Sequence, residues 1–281
     1  MIPLKIGIFD SFFRAYGPSI THRQIPPEDF EWIDNCDDPA RVNIVLATYA
    51  DLGRLACSKH PRRVYYLQET TEARPPYRED LYRELDLILT NDKEVLSRNA
   101  NAKYMTLFGV RMPQIYAPAK HLALSFVSSD LNWLSGHRLR QRIAREVKGY
   151  DGFGPACGRP IVRREETLDP YYFHISVENS SYDWWLTEKL WDCFARKTVP
   201  VYHGCPDLSK LAEFGFAPEG VIPWTGKSLD DLQRIVDDIN FDALNYYKTF
   251  QEAVEHNFEH VKNFACGEQP LGRLFREHFG L

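Results

Sequence analysis

Short runs of β-branched and aromatic residues alternate with polar, helix-length segments from the first residues of this chain, and the alternation starts again halfway along it. A strand buried on both faces reads as a continuous apolar run, so the pattern belongs to parallel sheets covered by helices. The first half offers strands at 5–9, 42–48, 64–68 and 85–90, with helices around 77–84 and 92–100. The second half offers strands at 122–128, 172–177, 199–202 and 220–224, with helices at 135–148, from Thr187 onward and at 228–239. Pro113 and Pro118 bracket a linker, and the tail from Phe241 reads as mostly helix. The expectation is an α/β protein of two Rossmann-like domains, residues 1–117 and 118–281, facing a central cleft, with a helical C-terminal tail in the second. A chain of 281 residues can bury two separate cores.

Charge narrows the function. A formal net charge of -5 and a pI near 6.0 remove the broad positive footprint of a protein whose main partner is nucleic acid. Arg138, Arg140, Arg142 and Arg145 form one local basic stretch, which by itself reads as a solvated helix face. No stretch approaches the roughly 20 apolar residues needed to cross a bilayer. The opening MIPLKIGIFDSFFRAYGP starts with a strand-like run rather than a signal peptide, so the expectation is a cytoplasmic protein. Six cysteines without C-x-x-C pairing or zinc spacing are expected to be free thiols.

Open α/β sheets bind ligands outside the carboxyl ends of their strands. The residues at those ends therefore decide the chemistry. The most informative segment is YYFHISVENSSYDWWLTEKLWDCFARKTVPVYHGCPD, from Tyr171 to Asp207, which reads as strand, polar loop, helix, strand. The strand ends in Glu178, Asn179 and Ser180, and Thr187, Glu188 and Lys189 open the helix. A helix start favours carboxylates, so Lys189 in the first turn is a local conflict that a bound anion such as a diphosphate would resolve.

The pattern YYFHISVENS, then TEKLWDCF, then VPVYHGCP, resembles the donor-binding signature of glycosyltransferase family 10, the α-1,3-fucosyltransferases. The upstream LSFVSSDLNWLSGHRLRQRI resembles that family's lead-in to its C-terminal domain. The resemblance implies the two-domain GT-B fold and an inverting transfer of fucose from GDP-fucose to a hydroxyl of a glycan acceptor. It implies donor contacts from Glu178, Asn179, Trp185, Glu188 and Lys189, with Glu188 also in a catalytic role. Trp185 stands where the family often has tyrosine, which keeps an aromatic face and removes a hydroxyl. A diphosphate-binding arginine falls on Arg138 or Arg140, and Arg140 is preferred because Ile143 and Val147 follow it at the family's intervals. The first half resembles the family through VYYLQETTEARP and LDLILTND, which puts the catalytic base at Glu69, with Glu72 as its competitor.

The acidic pairs Asp37-Asp38, Asp230-Asp231 and Asp237-Asp238 lack the strand-end setting of a metal-binding Asp-x-Asp site. Arginine and lysine can hold a diphosphate without a metal, so no metal and no cofactor beyond the donor substrate is expected. His203 and Trp191 read as structural residues. The expected partners are a nucleotide sugar and a glycan acceptor. A lipid-linked acceptor would bring the protein to a membrane without a transmembrane segment. Two other readings stand beside this one: a transferase of the same fold using another nucleotide sugar, and a non-catalytic nucleotide- or glycan-binding protein.

Overall fold

The computed structural model describes residues 2–10, 29–48, 51–74, 76–105, 108–112, 114–264 and 270–281. The chain divides into two compact units, Met1–Pro113 with Ala265–Leu281, and Gln114–Phe264. Pro113, one end of the expected linker, and Cys266 lie outside the described residues.

The first unit is built on a sheet of β1 (Leu4–Phe9), β2 (Phe30–Asp34), β3 (Ile44–Thr48), β4 (Arg63–Leu67), β5 (Leu87–Thr90) and β6 (Ala102–Tyr104). Its order is β2-β1-β3-β4-β5-β6 and every pair is parallel. The connecting helices are α1 (Leu52–Cys57), α2 (Glu79–Tyr82) and α3 (Lys93–Arg98), the last capped by the Asp92 carboxylate. Successive side chains go to opposite faces. Ile44, Leu46, Val64 and Tyr66 enter one core, while Val45, Ala47, Tyr65 and Leu67 enter the other, so the central strands β3 and β4 are almost entirely apolar.

The second sheet joins β7 (Leu122–Val127), β8 (Asp151–Phe153), β9 (Tyr171–Val177), β10 (Val199–His203) and β11 (Ile222–Pro223) in the order β11-β10-β9-β7-β8, again parallel throughout. Its helices are α4 (Ser135–Glu146), α5 (Glu188–Phe194), α6 (Lys210–Glu213), α7 (Leu229–Phe241), α8 (Ala243–Lys248) and α9 (Gln251–Val261). Ile143 of α4, with Leu232, Val236 and Ile239 of α7, packs on the sheet to form the core. No helix among the described residues is long and apolar enough to cross a membrane.

Two differences from the sequence expectation have clear causes. The last helix, α10 (Leu271–Phe279), belongs to the first unit rather than to the second, because Leu271 and Phe275 are fully buried with Leu4, Ile6 and Ile8. Strands β2, β6 and β8 were not expected. All three are sheet edges, and an edge strand has no need of a continuous apolar run.

Candidate active site

In the second sheet the chain passes from β7 outward to β8, then returns to the other side of β7 as β9. That reversal opens a crevice at the carboxyl ends of β7 and β9, the place where open α/β sheets hold ligands. Glu178 and Asn179 leave β9 there, and α4 begins beside them. Gly136, in the first turn of α4, donates its N–H to the Asn179 carbonyl at 2.9 Å. A Cβ at Gly136 would overlap the Glu178 carbonyl oxygen, so only glycine allows this approach.

Glu178 is the hub of the site. Its backbone N–H extends the strand ladder to the His203 carbonyl at 2.8 Å, and its carboxylate is completely buried. That carboxylate accepts from the Thr187 N–H at 3.1 Å, from the Thr187 hydroxyl at 2.7 and 2.9 Å, and from the Tyr202 hydroxyl at 3.3 Å. The Lys189 ammonium lies 3.4 Å from it. Burial pushes the carboxyl above the usual range, Lys189 opposes that rise, and the nearby Glu188 adds to it. Thr187 serves two elements: its hydroxyl meets Glu178 and also caps α5 by accepting the Lys189 N–H at 3.3 Å. Gly204 completes the packing, since a Cβ there would overlap the Glu178 side chain.

Two cations flank this hub. Arg140 projects from α4, where its guanidinium donates to the Val177 carbonyl at 2.7 Å and to the Asn179 side-chain oxygen at 2.9 Å. Burial lowers its proton affinity, and the charges of Glu178 and Glu188 hold the proton on. Lys189 reaches the surface with 22% of its side chain and pairs with Glu188 at 3.0 Å. Two guanidinium or ammonium groups and an oriented amide are thus gathered at the switch point, with one cation exposed.

The structure sorts the residues singled out from the sequence. Arg140, Asn179, Glu178, Glu188 and Lys189 come together. Arg138 does not join them: it lies on the exposed face of α4 and donates to the Trp133 carbonyl at 2.9 Å. Glu178 and Trp185, both expected against the donor, present no side-chain surface for a ligand. The Glu178 carboxylate is engaged by protein donors, and the Trp185 ring is 2% exposed against Tyr182. Its neighbour Trp184 is half-buried and adopts φ +69°, a costly conformation for a bulky residue that marks the loop as held in place by its surroundings. His203 is structural, its Nδ1 3.2 Å from the Trp224 carbonyl, and Trp191 packs in the core on Phe216.

In the first unit Glu69 sits two residues beyond β4, half-buried at the carboxyl end of that strand, whereas Glu72 is exposed on the following turn. The first sheet has its own switch point at β1 and β3, whose loops lie outside the described residues. Thr187, Tyr202, Gly136 and Gly204 escaped the sequence reading as site residues. The glycines carried the available signal, one at a helix start and one directly after a strand.

Two all-parallel sheets, with Arg140, Asn179, Glu178, Glu188 and Lys189 gathered at the switch point of the second, are the architecture that the following similarities identify as the GT-B type of fold. Residues 125–262 match the model of the C-terminal region of glycosyltransferase family 10 (fucosyltransferase). The chain is 31% identical over 134 residues to human alpha-(1,3)-fucosyltransferase 7, an alignment covering 42% of this chain and 38% of that relative. A crystal structure of an alpha1,3-fucosyltransferase with GDP-fucose matches 93% of this chain and 89% of its own, with a TM-score of 0.56 at 17% identity. The T4 phage BGT-D100A mutant in complex with UDP-glucose matches 99% of this chain and all of its own length, 100%, with a TM-score of 0.54 at 11% identity.

Proposed function

We propose that the protein transfers fucose from GDP-fucose to a hydroxyl of a glycan acceptor with inversion at the anomeric carbon. The observation that carries this reading is the Arg140–Asn179–Glu178–Lys189 array, which lies at the switch point and inside the segment shared with family 10. In a single displacement, the acceptor oxygen attacks the anomeric carbon as the bond from that carbon to the diphosphate oxygen breaks. The diphosphate leaves with the bonding electrons and the acceptor proton passes to a carboxylate. Glu69 is the carboxylate assigned to that proton. Lys189, the exposed cation, meets the departing charge, and Glu188 holds the Lys189 ammonium in place. Arg140 acts through Asn179, whose side chain it fixes. Lys189 supplies the charge that a metal supplies in other transferases, and the reaction is assigned as metal-independent.

The fold likeness extends to a structure with UDP-glucose, so a second donor class is the reading to test against. Incubation with GDP-fucose and a panel of glycan acceptors, followed by NMR of the product, is the experiment. Fucosyl transfer with the inverted anomer supports the proposal. The retained anomer excludes the single displacement, and transfer only from a UDP-sugar excludes the donor.

A further inference from the structure

An ammonium group has three protons, and three protein oxygens surround that of Lys189: Glu188 Oε1 at 3.0 Å, Glu178 Oε2 at 3.4 Å and the Thr187 hydroxyl at 3.4 Å. Thr187 and Glu188 stand beside Lys189 in the chain and travel with its backbone. They cannot by themselves fix where the first turn of α5 carries the charge. Glu178 belongs to another element, the end of β9, and it alone of the three ties the ammonium to the sheet.

The Glu178 backbone is held on both sides. Its N–H donates to the His203 carbonyl at 2.8 Å, and its carbonyl oxygen lies so near Gly136 that a Cβ there would overlap it. The side chain is completely buried against Gly204, where a Cβ would overlap it in turn. A side chain so enclosed has little freedom to swing. Its two oxygens divide their partners: Oε1 accepts from the Thr187 N–H at 3.1 Å and lies 3.3 Å from the Tyr202 hydroxyl, while Oε2 faces the ammonium. The Thr187 hydroxyl lies between them, 2.9 Å from Oε1 and 2.7 Å from Oε2. Burial works against the Glu178 charge, Lys189 for it, Glu188 against it and the Thr187 donors for it. Lys189 is 22% exposed and Glu178 is not exposed at all, so a ligand meets the lysine and never the carboxylate.

We propose that Glu178 is a positioning residue of the donor site: from the end of β9 its buried carboxylate aims the Lys189 ammonium at the diphosphate and itself touches neither substrate. The proposal rests on the donor reading of Lys189 and adds the group that makes that lysine effective. Two other roles for a buried carboxylate are distinct from it. A structural role would act on the whole domain, and a direct electrostatic role would repel the bound anion. Only the positioning role passes through Lys189.

The test is a double-mutant cycle, with GDP affinity measured by titration calorimetry on the parent, Glu178→Gln, Lys189→Ala and the double variant. The amide of Glu178→Gln keeps the shape and an oxygen for the Thr187 N–H, and it can place an N–H group where Oε2 faced the ammonium. Glu178→Gln is expected to weaken GDP binding on the order of ten-fold in the parent and by less than about two-fold in the Lys189→Ala background, because residues in contact couple and the effect acts through the lysine. Glu178→Asp keeps the charge and withdraws it by one methylene; it runs through the same cycle with the same expected pattern and serves where the amide variant does not fold. A similar loss in both backgrounds would make Glu178 a structural residue only, and tighter binding in both would show direct repulsion of the anion. Unchanged affinity in the parent would leave it without a role at the site. Each of these overturns the proposal. If instead Lys189→Ala leaves GDP affinity unchanged, the donor reading of Lys189 falls first and the positioning role falls with it.

Discussion

Replacing Arg140 by lysine tests whether this residue acts by positioning Asn179. The guanidinium spans two acceptors, the Val177 carbonyl at 2.7 Å and the Asn179 side chain at 2.9 Å, from a side chain that is 8% exposed. An ammonium keeps the charge, but its three donors radiate from one nitrogen at shorter reach, so it cannot meet both acceptors in the geometry held by two guanidinium nitrogens. A hydrogen bond from a charged donor contributes about 1.5 to 3 kcal/mol, so Arg140→Lys should cost the second unit roughly 2 kcal/mol. For a domain of this size that is a fall of about 4 to 8 °C in melting temperature. The freed Asn179 amide should also lower GDP affinity, roughly thirty-fold for a comparable loss of free energy. Differential scanning calorimetry reads the first effect and titration calorimetry the second. A variant melting within about 1 °C of the parent would refute the structural part of the reasoning. Lowered stability with unchanged GDP affinity would refute the positioning role.

Glu69→Gln should keep the fold and GDP affinity while turnover falls roughly 100- to 10,000-fold, with Glu72→Gln changing it far less; a Glu69→Gln enzyme near parental turnover would move the base elsewhere. Activity should persist in excess EDTA, and a loss that manganese restores would overturn the cationic account of diphosphate departure. Burial lowers the His174 imidazole to about 3, and its Nδ1 is 2.8 Å from the Ser125 hydroxyl. Its folded-state value lies below the unfolded one, so its contribution is complete above the ordinary histidine range and is lost as pH falls toward 3. Between pH 8 and pH 5 this amounts to about 2 kcal/mol. His174→Gln should flatten that part of the stability profile in thermal melts, and an unchanged profile would remove His174 as its source.

The central strands were legible because burial on both faces leaves a run such as Ile44–Thr48 almost entirely apolar. Edge strands were not: Asp151–Phe153 is three residues long and half polar, and only its pairing with β7 defines it. The grouping of Asn179, Glu188 and Lys189 came from the resemblance of one contiguous segment, and the structure brings these side chains together. The inward placement of Arg140 and the outward placement of Arg138 follow the helical period, since Arg140 shares a face with Ile143. The engagement of Glu178 was not legible, because a carboxylate at a strand end looks the same in sequence whether it faces outward or, as here, accepts from the Thr187 and Tyr202 hydroxyls. The burial of Trp185 was not legible for a similar reason, as two adjacent tryptophans do not reveal which one the turn sends inward. The placement of α10 in the first unit depends on contacts across most of the chain, for which no local pattern exists.

Titration calorimetry of the full chain with GDP, GDP-fucose and UDP-glucose, repeated on Lys189→Ala, tests the central claim most directly. The account predicts that both guanosine ligands bind and UDP-glucose does not. It also predicts that Lys189→Ala weakens GDP binding about 10- to 150-fold, the equivalent of the 1.5 to 3 kcal/mol of a charge-assisted hydrogen bond. Binding of UDP-glucose alone, or a GDP affinity that Lys189→Ala leaves unchanged, would contradict it.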